Sequence, residues 1–201
     1  MLVAYFLDTF SGRSAPFMWI ITAVLAFGLA VFAERAWVLV LSWRYDRAAV
    51  REAVRRGDGT AAAAAAGRGP LGDVLRAGAE AQGAEQAWDA MSAEAARAQA
   101  QAERRVQYLA AIGNIATMIG LLGNVVGIII AFGSLGQATA EARAVHLSEG
   151  IATAMAATAY GLLVAIPALA AHAWLDQRAR SYLADVEGFA GDLAASLRRS
   201  G

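Results

Sequence analysis

The chain has 201 residues, 58% of them hydrophobic, and its mean hydropathy of +0.45 lies outside the range of ordinary soluble domains. Seventeen basic residues, all arginine, balance seventeen acidic ones, so no charge excess points to nucleic acid as a partner. Without cysteine there is no disulfide framework, thiolate metal site or cysteine nucleophile.

Residues 1–15, MLVAYFLDTFSGRSA, lack the basic region, apolar core and cleavage site of a signal peptide and read as a short amphipathic lead-in. The first membrane span is expected over residues 16–43. It opens at Pro16, whose missing N–H is not needed in a first helical turn. Glu34 and Arg35 interrupt the apolar run near the headgroups, and Trp37 and Trp43 supply an aromatic belt beyond them.

Residues 44–111 are rich in arginine, from Arg44, Arg47 and Arg51 to Arg104 and Arg105, and the positive-inside rule assigns them to the cytoplasm. A helical stretch to about Arg56, a break at GDGT, an alanine run over 61–66, a second break at GRGP and a further helix from Leu71 are predicted. Six successive alanines favour helix but offer little to pack. From about Glu85 no breaker intervenes, so one helix is predicted to run from the loop straight into the second span.

That span, residues 112–134, carries no formal charge and at ~1.5 Å per residue matches the hydrocarbon core of a bilayer. Gly113, Thr117, Gly120, Asn124, Gly127, Ala131 and Ser134 recur at steps of four and three and so form one stripe. Ile115, Met118, Leu122, Val125 and Ile129 cover the opposite side. The loop over 135–149 has no basic excess and belongs outside, in the periplasm. Residues 150–175 form a third span with a weaker stripe of Ala154, Thr158, Gly161, Ala165, Ala168 and His172, and with Pro167 removing one backbone donor. Thr153 lies about 140° round the helix from Thr158. In the tail, 176–201, the spacing of Tyr182, Val186, Phe189, Leu193 and Leu197 predicts that the third helix continues into the cytoplasm. The expected fold is all-α and polytopic: three transmembrane helices, the second and third extending as long helices into the cytoplasm, with the N-terminus periplasmic and the C-terminus cytoplasmic.

Neither the second nor the third span contains Asp, Glu, Lys or Arg. A self-sufficient ion pump needs a titratable group near mid-membrane. Thr117, Asn124, Thr153 and Thr158 can line a wet path or hydrogen-bond a partner's carboxyl, but they cannot exchange a proton near neutral pH. Any proton chemistry therefore requires a second polypeptide. The alternative is structural: a small-residue stripe also serves as a packing seam, a threonine in a span also bonds its own helix, and Asn124 also suits an ordinary interhelical bond. Gly113, Gly120, Gly127, Gly161 and Pro167 are assigned to helix packing. No metal-ligand spacing, nucleophile elbow or phosphate loop occurs, so neither an enzyme nor a bound metal or cofactor is expected.

The residues MIGLLGNVVGIIIAF (118–132) and EGIATAMAATAYGLLVAIPALAAH (149–172) resemble the proton-channel family of ExbB, TolQ and MotA, and AERAWVL at 33–39 resembles the first-span exit of its ExbB and TolQ branch. That resemblance implies a homopentameric ring around a dimer of a single-span ExbD- or TolR-like partner carrying the protonatable aspartate. It also implies work delivered to the envelope, with a TonB- or TolA-like protein as a further partner. Asn124 stands where the family pattern has a pore threonine, Thr153 where it has a glutamate and Thr117 where it has a proline; Thr158 is retained.

Overall fold

A computed structural model describes residues 10, 15–133 and 140–200. Ser134, the opening of the predicted 135–149 loop and the lead-in apart from Phe10 and Ala15 lie outside the described residues. Every element among the described residues is helical. Helix α1 (Ala15–Ala36) passes into a π-helical stretch, Trp37–Ser42. There follow α2 (Arg47–Arg55), α3 (Gly59–Ala66), α4 (Pro70–Glu80), α5 (Ala84–Glu103), α6 (Val106–Gly133) and α7 (Ala140–Ser200). Three stretches are long and apolar enough to cross a membrane: Ala15–Ser42, Ala84–Gly133 and Arg143–Arg199. The chain divides into two compact units, one of Met1–Phe32 with Gln107–His172 and one of Ala33–Val106 with Ala173–Gly201.

In the second unit, short helices start where side chains satisfy their free N–H groups. The Asp46 carboxylate accepts from the backbone N–H groups of Ala48 and Ala49 at 3.0 and 3.2 Å and caps α2. Asp58 does the same for α3, accepting from Ala61 N–H at 2.9 Å and from the Thr60 hydroxyl at 2.7 Å. These donors, the Ala61 N–H first, hold the Asp58 carboxyl below its ordinary value. Gly67 ends α3 with φ +72°, a conformation that suits glycine.

The core of this unit gathers Val50, Val54, Leu71, Val74, Leu75 and Met91 against Val186, Phe189 and Leu193 of α7. The predicted tail stripe thus forms one wall of it, with Tyr182 and Leu197 half-buried at its edge. Burying each such large side chain stabilises the unit by roughly 1.5–3 kcal/mol. The alanine run does more than its propensity suggested, because Ala62, Ala63 and Ala66 lie in this core. Their small size lets α3 and α4 close on each other: a methyl group on Gly59 would lie 2.9 Å from the Ala79 side chain. Burial, and secondly its hydrogen bond to Asp185, raise the Tyr45 hydroxyl well above its ordinary pKa, so it remains a donor to that carboxylate.

The single helix predicted from Glu85 into the second span is corrected at one point. Regular helix is interrupted at Arg104 and Arg105, and Arg105 has φ +66°. In a continuous helix the Gln101 carbonyl would accept the Arg105 N–H. Here the Arg35 guanidinium donates to that carbonyl at 3.4 Å, and both Arg35 and Arg105 donate to the Glu34 carboxylate. A tertiary ion cluster offsets the left-handed residue, which costs of order 1–3 kcal/mol. Helix α7, in contrast, runs on through Pro167 without interruption over 61 residues.

Candidate functional site

The first unit packs α1, α6 and the first part of α7 together through small residues. Helices α6 and α7 run antiparallel, and the stripe residues of one meet those of the other in register. A methyl group on Gly113 would lie 2.7 Å from Leu169 Cγ, one on Gly127 2.8 Å from Ala154 Cβ, and one on Gly150 2.3 Å from Ala131 Cβ. At the closest approach the backbones touch: a methyl on Gly161 would sit 2.7 Å from the Ala116 carbonyl oxygen and 3.0 Å from Gly120 Cα. In a membrane, where apolar side chains gain nothing by leaving lipid, such close approach is what holds helices together. Helix α1 joins through Phe17 against Gly123 and Gly28 against Ile112.

One turn from the Gly120 and Gly161 contact, the Asn124 Nδ2 donates to Thr158 Oγ1 at 3.0 Å. The Thr158 hydroxyl in turn donates to the Gly120 carbonyl oxygen at 3.3 Å. A threonine hydroxyl has one proton, and Gly120 takes it, so the amide must donate with its nitrogen. That fixes the amide's orientation and leaves Asn124 Oδ1 buried without a hydrogen-bond partner among the described residues. An orphaned buried acceptor costs about 1–3 kcal/mol, more than an ordinary packing contact justifies.

The other polar candidates are not part of this pair. Thr117 Oγ1 donates to the Gly113 carbonyl at 3.0 Å and Thr153 Oγ1 to the Glu149 carbonyl at 2.8 Å, each within its own helix. Thr117 faces outward and Thr153 is half-buried. Pro167 is exposed, so it lies off the α6 contact that Gly113, Gly120, Gly127 and Gly161 share with α7. The stripe of α6 is therefore split: its glycines and Ala131 meet α7, while Thr117 points away. Met118, Leu122, Val125 and Ile129 of α6 and Leu163 and Ile166 of α7 are all exposed, leaving broad apolar faces for lipid or other subunits.

A second polar link had no sequence signal. Thr22 Oγ1 donates to the Met18 carbonyl at 2.8 Å, which leaves it to accept from Tyr160 Oη at 2.9 Å. This bond ties α1 to α7 inside the unit, and Phe10 lies edge-on to both Trp19 and Tyr160 at 5.5 Å. Among the described residues no cluster of His, Asp or Glu could hold a metal. Chemically, the site offers one hydroxyl whose proton is already given, an amide with one of its two N–H donors engaged, and one open acceptor.

Comparison with known proteins meets this geometry on the same residues. The profile of the MotA/TolQ/ExbB proton channel family matches residues 66–188, more than half of the chain. The Tol-Pal system protein TolQ of Haemophilus influenzae is 38% identical over 97 residues, 48% of this chain and 42% of that protein. The biopolymer transport protein ExbB of Aquifex aeolicus is 33% identical over 93 residues, covering 46% and 62% of the two chains. ExbB of Neisseria gonorrhoeae is 38% identical over 102 residues, covering 49% and 46%. The chain thus spans about half the length of the curated relatives it matches.

Proposed function

The chain belongs to the MotA/TolQ/ExbB proton channel family, within its ExbB and TolQ branch, and from that premise we propose that it is an inner-membrane subunit of a motor driven by the proton-motive force. In this reading five copies form a ring around a dimer of a single-span ExbD- or TolR-like partner. The partner supplies an aspartate, and proton flow through the ring is coupled to work on the envelope, either TonB-type uptake or Tol-type envelope maintenance. The N-terminus lies in the periplasm and the C-terminus in the cytoplasm.

One observation carries the reading: two spans without a carboxylate hold a cross-helix Asn124 and Thr158 pair in which Asn124 Oδ1 is a buried acceptor without a partner among the described residues. That open acceptor complements the O–H of a protonated carboxylic acid. The site would thus favour the neutral form of the partner's aspartate and ease its passage through an apolar environment. Thr117, on an exposed face of α6, and Thr153, half-buried on α7, complete the proposed proton path, although each is bonded to its own helix.

Co-expression with a single-span partner encoded nearby should yield a stable complex with five copies of this chain to two of the partner. Recovery of monomer alone with every such partner contradicts the proposal. A second reading is a structural membrane scaffold, favoured by the burial of Gly113, Gly120 and Gly127 against α7. It requires that Asn124→Ala and Thr158→Ala leave proton-dependent activity unchanged. A gliding-motility stator of the same family shares the motor chemistry and is separated from the first reading by gene neighbourhood.

A further inference from the structure

Within the second unit, where the first apolar helix ends, a cavity of about 260 Å³ opens between the π-helical stretch and α7. Its apolar wall is Leu39 and Val40; its polar rim includes Arg44 and Arg178. Trp43 and Tyr182, with ring centroids 5.0 Å apart, form its floor. The carboxylate in its lining, Asp185, is already engaged by the Tyr45 hydroxyl and the Arg47 guanidinium. Arg44 and Arg178 make no side-chain hydrogen bond or ion pair among the described residues. Two uncompensated guanidiniums therefore face a pocket whose own anion is spent, immediately beyond an apolar segment that ends at Ser42.

Neither arginine belongs to the core of the unit, and no ion pair among the described residues balances either charge. The π-helix adds a second sign. Six residues, Trp37–Ser42, abandon ordinary helical bonding, with the Trp43 N–H reaching back to the Val38 carbonyl at 3.1 Å. Segments of this kind are rare and concentrate at binding sites. The charge, the aromatic floor and the apolar wall together match an amphipathic anion. A basic pocket beside a membrane helix on the cytoplasmic side is suited to an anionic lipid, because guanidiniums take phosphate oxygens in a planar fork while the acyl chains stay in hydrocarbon.

We propose that this cavity binds the phosphodiester headgroup of an anionic glycerophospholipid, with Arg44 and Arg178 on the phosphate and the acyl chains lying along Leu39 and Val40. The proposal rests on the membrane reading of Ala15–Ser42 and not on proton conduction, so either can fail without the other.

The full-length chain in detergent, titrated separately with phosphatidylglycerol and phosphatidylcholine of identical acyl chains and read by native mass spectrometry, tests it. Two arginines near an anionic headgroup should let phosphatidylglycerol be retained at a concentration roughly 30-fold lower. The R44Q/R178Q variant should lose that preference, whereas R51Q/R55Q, which removes equal charge from exposed α2 positions, should keep it. Equal retention of the two lipids overturns the proposal, as does a preference that survives R44Q/R178Q or falls equally in R51Q/R55Q. Complete displacement of phosphatidylglycerol by millimolar inorganic phosphate overturns the lipid assignment in favour of free phosphate. Should R44Q/R178Q fail to fold, Arg178→Gln alone, on an exposed helical face, should weaken the preference about fivefold, and no change there is equally decisive.

Discussion

At Asn124 structure and chemistry disagree, since an acceptor buried without a partner among the described residues is a cost that folding alone does not explain. Leucine is similar in volume and brings no polar atom. Asn124→Leu is therefore expected to leave the thermal stability of the detergent-purified chain unchanged or to raise it by up to about 1–3 kcal/mol, while abolishing proton flux. A loss of stability on unfolding would show that the amide is a packing bond after all. Asp58 makes a separate point about titration. Its folded pKa lies below the unfolded value, so it contributes stability above the ordinary carboxylate range, and this is lost as pH falls through the lowered value. Asparagine caps a helix nearly as well but does not titrate. Acid unfolding followed by circular dichroism should show that Asp58→Asn removes part of the pH dependence between about pH 5 and pH 2 without loss of stability at pH 7.

Among the elements, α6 and α7 depend on how near two backbones can come. A side chain at Gly161 meets the backbone of Ala116 and Gly120, which cannot move aside as a flexible side chain would. Gly161→Leu should therefore cost at least about 1–3 kcal/mol and separate the helices. Further along the same helix, a methyl on Gly188 meets nothing within 4 Å. Gly188→Ala should stabilise α7 by roughly 0.5–1 kcal/mol, because alanine loses less backbone entropy in a helix. Thermal melts of the two variants beside the parent should move in opposite directions; a shared direction would contradict the seam. The glycines of this seam were legible in the sequence because a spacing of three and four declares a helical face. What they face was not, since a lumen and a close neighbour both ask for a small side chain. The break at Arg105 was illegible for another reason: its cause, Glu34, lies 71 residues away, and no glycine or proline marks it. Nor does the sequence around Thr22 betray that its hydroxyl meets Tyr160, 138 residues on.

For the molecule as a whole, three apolar helices and a second unit with its own aliphatic core accord with membership of the proton-channel family. The three-span plan could be read from composition and arginine placement, because hydropathy and charge act over whole segments. The packing of the short helices of the second unit, with alanines buried in a core to which they were expected to offer little, depends on tertiary fit that propensity does not encode. The central claim is that Asn124 and Thr158 serve a proton held by another chain. Its most direct measurement is proton flux into liposomes containing this chain and its single-span partner, driven by a potassium diffusion potential and read with an internal pH-sensitive dye. Flux should require the partner's aspartate and fall at least about tenfold, some 1.4 kcal/mol, in the Asn124→Ala and Thr158→Ala double variant, with the complex still assembled. Undiminished flux in that assembled variant would contradict the claim.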